Sequence, residues 1–330
     1  MSLSKPSELS ELTGSHWQLV KQFLRKNDAR ETTPFLQVYI CQTFSLSNTI
    51  NQRRTINTIV TSEQQMNLQL QCQLADTTMN AVWYDNEGCK LVHYFPHLIS
   101  SNSQSAVVDI FKTLISLYPP NKASMMEKRS SNWDEWSKEM GLAGNPCGVY
   151  RFIIHHMEGH PYDPPVFSTQ FFTKTSRHTN AAIEFRQSDA ITKLSEYISL
   201  VFAGIDPVAW KKYRTAYLKL TELFPLLKTL DTSSVQCYVG YYLLVNMLTT
   251  CHQDLKDPPD GWVAMVAFGD YENGKLCIPD IRIKFSYKSG DVIFFRSWAL
   301  KHFIQYFIGS RYVIVFSTTQ KIFEWLGMVL

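Results

Sequence analysis

Three residues with metal-donor side chains follow one another in the C-terminal third of the sequence: His252 and Asp254 within the triplet His252-Gln253-Asp254, and later His302. In extended backbone, side chains two apart share a face, so the imidazole and carboxylate of the triplet point the same way. His302 is far enough along the chain for several strands to bring it back beside them. Two histidines and one carboxylate on one face of a metal leave three coordination positions open, the arrangement of non-heme Fe(II) oxygenases. Arg311 then stands at the head of the apolar run 312–317. A permanently charged, forked guanidinium there suits a dicarboxylate held at one end by a bidentate pair while its other end chelates the metal. H-x-D by itself is common, and a lone histidine is ordinarily a core or surface residue. The ordered set of four gives the reading its specificity, together with the turn Ser289-Gly290-Asp291 leading into the apolar run 292–295.

The elements that must position these residues are legible in outline. From 235 onward, short apolar or alternating runs at 235–245, 263–268, 281–287, 292–295 and 312–317 are separated by Gly, Asp and Asn turns. That rhythm predicts a β-sandwich or jelly roll. Upstream, Asp206-Pro207 has the N-cap and first-turn chemistry of a helix start, and the helical pattern runs on to 230 with a break near Pro225. Two more helices are expected between the Pro-rich turn at 160–165 and Asp206. Strands are expected at 35–41, 67–74, 81–84 and 149–155, a hairpin turn at Asp85-Asn86-Glu87-Gly88, a helix at 107–118 ended by Pro119-Pro120, and an amphipathic helix at 7–25. The polar stretch ending near residue 147 is the best linker. The expected organisation is an N-terminal α/β extension over 1–147, with a long loop near 119–147, and a catalytic domain over 148–330. The fold class is α+β, a jelly-roll core with flanking helices.

Composition agrees with a folded chain. The 330 residues are 45% hydrophobic, 18% charged and 13% aromatic, which excludes disorder, collagen and coiled coil. The net charge of +3 neither requires nor forbids a nucleic-acid partner. Seven cysteines without a C-x-x-C pair indicate neither a disulfide framework nor a cysteine zinc site, so a reducing compartment is expected. No apolar run reaches the ~20 residues of a membrane helix, and the N-terminus lacks the apolar stretch of a secretory signal. The expectation is an intracellular protein, nuclear or cytoplasmic, with no membrane partner.

The stretch CHQDLKDPPDGWVAMVAFGDYENGKLCIPDIRIKFSYKSGDVIFFRSWALKHFIQYFIGSRYVIVFST resembles the catalytic core of the 2-oxoglutarate and Fe(II)-dependent dioxygenases. It is most similar to the TET/JBP-related members of fungal type. The likeness spans 235–319 and, more loosely, the helices from 188 onward; no known motif stands before Gly148. The resemblance implies a double-stranded β-helix, with His252, Asp254 and His302 as iron ligands and Arg311 as the anchor of the 2-oxoglutarate carboxylate, and O2 as co-substrate. It also implies oxidation of a methyl group on a nucleobase in DNA, 5-methylcytosine or N6-methyladenine. Such a base must leave the stack, so single-stranded or flipped DNA is the expected partner. A small metabolite or peptide as the hydroxylated substrate is the alternative, and a non-enzymatic jelly-roll module stands third.

Substrate contacts are read from fewer signals. Asp257 occupies the position where animal TET enzymes have a base-contacting asparagine, and a carboxylate there would accept from an exocyclic amine. With Asp260 it equally fits a cap of the turn DPPDG. Lys211, Lys212 and Arg214 on the helix after Asp206 suit phosphates, or equally a solvated helix face. Phe294, Phe295, Trp298, Phe303 and Trp262 are core candidates before they are cavity linings. Cys251 reads as a small buried residue. The cluster at 155–160 has the wrong spacing, and Gly159 and Pro161 the wrong backbone, for a zinc-protease helix.

Overall fold

The computed structural model describes residues 37–52, 60–75, 78–120, 137–138, 141, 144–155, 163–170, 175–230 and 235–328. The expected helix at 7–25, most of the loop at 119–147 and the 156–160 part of the histidine cluster lie outside them.

Two sheets form the centre. The larger contains β1 (Gln37–Ile40), β3 (Ala81–Tyr84), β4 (Lys90–Phe95), β5 (Gly148–Phe152), β8 (Gly240–Val245), β9 (Val263–Asn273), β12 (Val292–Phe295) and β14 (Phe307–Ser317). Their spatial order is β1-β3-β4-β12-β9-β14-β8-β5. The smaller sheet contains β2 (Gln73–Leu74), β10 (Leu276–Ile278), β11 (Ile283–Phe285) and β13 (Phe303–Ile304), in the order β13-β10-β11-β2. A further two-stranded ribbon joins β6 (Ile154–His155) to β7 (Val166–Phe167).

The period-2 pattern of the long strands decides which face each residue serves. In β9, β12 and β14, Ala264, Val266, Phe268, Val292, Phe294, Tyr312, Ile314 and Phe316 face the helices. Val263, Met265, Ala267, Ile293, Phe295, Phe307 and Val313 face the smaller sheet. The larger sheet is therefore apolar on both sides, with two cores on its two faces. Strands before residue 147 complete both sheets: β4 pairs with β12, and β2 pairs with β11.

Among the described residues the helices are α1 (Leu46–Asn51), α2 (Ser62–Gln71), α3 (Ser101–Leu117), α4 (Ser176–Gln187), α5 (Asp189–Ile205), α6 (Pro207–Leu223), α7 (Leu226–Leu230) and α8 (Gln320–Trp325). Asp206 caps α6 as expected, accepting from Ala209 N at 3.0 Å. In α3, Val107, Phe111 and Leu114 make one buried stripe against the sheet. The turn Ser289-Gly290-Asp291 requires its glycine: φ is +85°, and a Cβ would stand 2.8 Å from Ile99 O. No described helix is long and apolar enough to cross a membrane.

One element differs in type from its sequence pattern. The alternation at 67–74 reads as a strand, yet only Gln73–Leu74 is one, and Ser62–Gln71 is helical. The reason is a capping box: Thr61 Oγ1 accepts from Gln64 N at 3.2 Å, and Gln64 Oε1 accepts from Thr61 N at 2.9 Å. The Gln, Met and Leu residues that follow are strong helix formers. The run at 281–287 is also broken, into a 3-10 turn, Pro279–Ile281, and a three-residue strand.

Candidate metal and carboxylate site

His252 and His302 face each other across an isolated antiparallel bridge, exchanging backbone hydrogen bonds of 3.1 and 2.8 Å. The bridge needs no long strand. It fixes two backbones opposite one another and brings the imidazole centroids to 4.3 Å. Asp254, two residues on, is tied by its N–H to Ser297 O at 3.0 Å, and its carboxylate lies 3.7 Å from His252 Nε2 and 3.4 Å from His302 Nε2. One donor atom from each of the three residues falls within 4.8 Å of the others.

Each imidazole is oriented through its other nitrogen. His252 Nδ1 lies 2.6 Å from Thr250 O, and His302 Nδ1 lies 3.1 Å from Leu300 O. A proton on Nδ1 donated to those carbonyls leaves Nε2 as a lone-pair donor toward the shared centre, which is how histidine ligands are set. Phe295 stands edge-on to the His302 ring at 4.8 Å. Gln253, pointing the other way, donates through Nε2 to Trp298 O and Ala299 O, both at 2.9 Å. It staples the segment bearing His252 and Asp254 to the one leading into His302. The donor set, two imidazoles and one carboxylate, fits a divalent first-row metal.

Arg311 enters the same core from β14. It is 2% exposed, and its Nε and Nη2 have no hydrogen-bond partner. The rings of Tyr271, Tyr287 and Phe307 surround the guanidinium carbon at 5.5, 5.3 and 5.7 Å. The backbone is pinned by Asn246, whose Oδ1 accepts from Arg311 N at 2.8 Å and whose N–H donates to Arg311 O at 2.8 Å. A buried cation with two unused donors is costly unless an anion arrives. Tyr287 adds a buried hydroxyl without a partner, and burial raises its pKa well above the usual phenol value. These groups fit a carboxylate.

The expected substrate contacts are placed less simply. Asp257 is 7% exposed, and its two oxygens accept the hydroxyls of Ser297 and Ser317, each at 2.6 Å. Burial, and next the charge of Asp254, raise its pKa to about 7. Lys211 is exposed on α6, and Lys212 lies over the Phe323 ring at 5.9 Å. Arg214 turns inward: Nη1 donates to Gln236 O at 2.5 Å and the guanidinium covers Tyr217. Phe295, Trp298 and Phe303 lie in the cores on the side of the site, whereas Phe294 and Trp262 lie on the helix side. Cys251 packs with Cys72, Cys277 and Phe303, and burial lifts its thiol to about 12.

Sequence reasoning missed Gln253, Tyr271, Tyr287, Asn246, Ser297 and Ser317. Only Gln253 carried a local signal, as the middle residue of the metal triplet.

No family model matches the chain, and no curated protein does. Among solved structures, NgTET1 in complex with 5mC DNA superposes over 84% of this chain and 88% of that chain, with TM-score 0.52 and 13% identity. An oxidoreductase of the 2OG-Fe(II) oxygenase family from Burkholderia pseudomallei matches at TM-score 0.34 and 10% identity, over 68% of this chain and 82% of that one. The viral collagen prolyl hydroxylase of Paramecium Bursaria Chlorella virus-1, in its 2OG complex, matches at TM-score 0.31 and 13% identity, over 68% and 93%. The NgTET1 superposition shows that the two chains share a fold, in keeping with the jelly roll expected here; the other two are too distant to add to it.

Proposed function

We propose that the protein is a 2-oxoglutarate- and Fe(II)-dependent dioxygenase that oxidises the methyl group of a methylated nucleobase in DNA, with 5-methylcytosine as the first substrate to try. The observation that carries the oxygenase reading is the pairing of His252, Asp254 and His302, whose donor atoms gather within 4.8 Å, with a buried Arg311 whose Nε and Nη2 lack acceptors. One feature supplies a facial metal triad and the other a carboxylate anchor, the two demands of a chelating keto acid. The nucleobase reading is supported by the shared fold with NgTET1, which was solved with 5mC DNA. N6-methyladenine draws no support from that likeness.

Iron and 2-oxoglutarate, when bound, supply oxidative decarboxylation of the keto acid coupled to hydroxylation by O2, with succinate and CO2 as products. The chain's own residues do the rest. His252 and His302 present Nε2 and Asp254 an oxygen, while Thr250 O and Leu300 O hold the histidine rings in their tautomers. Arg311 fixes the distal carboxylate and thereby the orientation of the co-substrate. Tyr271, Tyr287, Phe307 and Phe295 keep bulk water from this side of the pocket. A base reaching a site so enclosed leaves its stack, and Lys211 and Lys212 on α6 are the cations assigned to its flanking phosphates. Arg214 is already engaged by Gln236 and is a packing residue in this scheme.

The test is mass spectrometry of nucleosides after incubating the full chain with Fe(II), 2-oxoglutarate and oligonucleotides carrying 5-methylcytosine or N6-methyladenine. Oxidised 5-methylcytosine that disappears in the double variant His252→Ala/Asp254→Ala is the expected result. Succinate formation without any modified base would leave the oxygenase and move the substrate to a small metabolite or peptide.

A further inference from the structure

We infer that Asp257, with Ser297 and Ser317, forms a bracket that holds the metal-binding residue Asp254 in place, and that this bracket sets metal affinity and does not read the substrate base. The inference rests on the oxygenase reading above, and it gives Asp257 a role different from both sequence expectations.

The hydrogen bonds close on themselves. Ser297 Oγ donates to Asp257 Oδ2 at 2.6 Å; Ser297 O accepts from Asp254 N at 3.0 Å; Asp254 O accepts from Asp257 N at 2.9 Å. The ring thus passes through the backbone of the metal ligand on both its N–H and C=O sides. Ser317 Oγ occupies the remaining oxygen, Oδ1, at 2.6 Å. Ser317 is the last residue of β14, and Ser297 lies just past β12, so one carboxyl group joins the metal loop to the ends of two strands of the larger sheet. Hydroxyl-to-carboxylate bonds of this length belong to the stronger class.

Neither earlier reading has room in this arrangement. A cap for the turn DPPDG would bond nearby backbone, whereas the side-chain partners of Asp257 are 40 and 60 residues away in sequence. A base reader needs an accessible oxygen, whereas Asp257 is 7% exposed, with Ser297 at 1% and Ser317 at 4% behind it. Removing the bracket frees the backbone of Asp254 to shift, and loss of an outer-shell partner of a metal ligand typically costs ~10–100-fold in affinity.

The experiment measures Co(II) and Mn(II) affinity of the full-length apoprotein by titration, with the Co(II) d–d spectrum as a record of ligand geometry, for Asp257→Ala, Asp257→Asn and Ser317→Ala. Melting of each apoprotein is followed in parallel so that every titration is made on folded chains. Asp257→Ala is expected to lose ~10–100-fold in affinity with an altered spectrum. Ser317→Ala should lose a smaller multiple, and Asp257→Asn, which keeps the shape and part of the bonding, should recover most of the loss. In parallel turnover assays, the ratio of oxidised 5-methylcytosine to oxidised N6-methyladenine should stay as in the parent. Unchanged metal affinity and spectrum in Ser317→Ala and Asp257→Ala overturn the inference, and a changed base ratio with intact metal binding establishes the base-reading role instead. Should Asp257→Ala not fold, Ser317→Ala decides alone, because a positioning role predicts its metal loss and a base reader does not. The metal measurement stands whether or not any methylated base turns over. A His252→Ala protein that binds Co(II) as tightly as the parent would instead refute the oxygenase reading itself.

Discussion

Two arginines are buried on opposite faces of the larger sheet, and they are treated in opposite ways. On the helix side, Arg296 has its guanidinium 3.5 Å from Asp206, donates through Nε to Lys90 O at 3.2 Å and through Nη1 to Asp260 O, and stacks on Trp262 at 3.9 Å. Burial lowers its pKa, and Asp206 opposes the shift. On the side of the smaller sheet, Arg311 is enclosed by aromatic rings and keeps Nε and Nη2 unused. Folding normally satisfies buried donors; the guanidinium of Arg296 follows the rule, and that of Arg311, with Nε and Nη2 unpaired, breaks it. In the function proposed above, the outer arginine maintains the fold and the inner one is held ready for an anion. Burial and charge by themselves would rank the two alike; the count of unsatisfied donors separates them.

The largest effect expected from this contrast is a double dissociation. Arg311→Met should weaken 2-oxoglutarate binding by at least about a hundredfold, since charged hydrogen bonds contribute ~1.5–3 kcal/mol each. In the apoprotein the same change should leave stability equal or higher, because it removes a buried charge whose fork is incompletely paired. Arg296→Met should do the reverse. It removes the cation beside Asp206, which keeps its bonds from Ala209 N and Trp262 Nε1, costs about 2 kcal/mol after allowing for the partial exposure of that carboxylate, and leaves 2-oxoglutarate affinity within about twofold. Calorimetric titration and urea denaturation of both variants check this, and a single pattern shared by the two would erase the distinction.

How much of this was readable from residues alone depends on whether the signal is local. The shared face of His252 and Asp254, the DP helix start, the hairpin turn before β4 and the Ser-Gly-Asp turn before β12 were legible because a few neighbouring residues determine them. Arg311 was legible because its charge has little reason to stand inside an apolar strand. The tyrosines around it were not, since Tyr271 reaches Arg311 across the pairing of β9 with β14 and Tyr287 from the loop between β11 and β12, contacts that leave no local mark. The same holds for β4 pairing with β12 across the expected 147/148 boundary: strand pairing at that separation leaves no mark in either segment. At 67–74 the local signal misled, because alternation of Gln and Leu suits a strand and a half-exposed helix alike. The capping box at Thr61 and Gln64 was the deciding clue.

A smaller effect tests the outer face by pH. His93 on β4 lies 6.2 Å from Trp262, and burial, reinforced by Lys90 and Arg296, lowers its pKa to about 3. The folded chain therefore refuses a proton that the unfolded chain accepts below about 6.5. Between those values the unfolded state binds more protons, so stability present at neutral pH is lost as pH falls from ~6.5 toward ~3. His93→Leu should remove that part of the loss, lowering the slope of unfolding free energy against pH by up to ~1.4 kcal/mol per unit over this window. Denaturation midpoints from pH 7 to 4 would show it. An unchanged slope would mean that His93 is protonated alike in both states and that the outer face is less dry than its burial suggests.

The smallest effect isolates a single atom of the inner face. Tyr287 is fully buried, its hydroxyl has no partner, and its ring lies 5.3 Å from the Arg311 guanidinium carbon. Its backbone sits at φ +45°, where a bulky residue is strained, and its carbonyl accepts from Tyr271 Oη at 2.6 Å. The fold thus bears strain and an unpaired hydroxyl beside an arginine that is itself incompletely paired. If both groups serve the co-substrate, Tyr287→Phe should leave the strained backbone and the ring packing intact and delete only the hydroxyl. The apoprotein should then gain up to about 1 kcal/mol, because a buried unsatisfied donor is removed, while 2-oxoglutarate binding weakens by roughly fivefold to tenfold, the worth of one hydrogen bond. The two measurements must move in opposite directions. A Tyr287→Phe protein that loses stability and keeps its affinity would place that hydroxyl with the outer-face groups, as part of the scaffold, and would leave Arg311 as the only anchor on its side of the sheet.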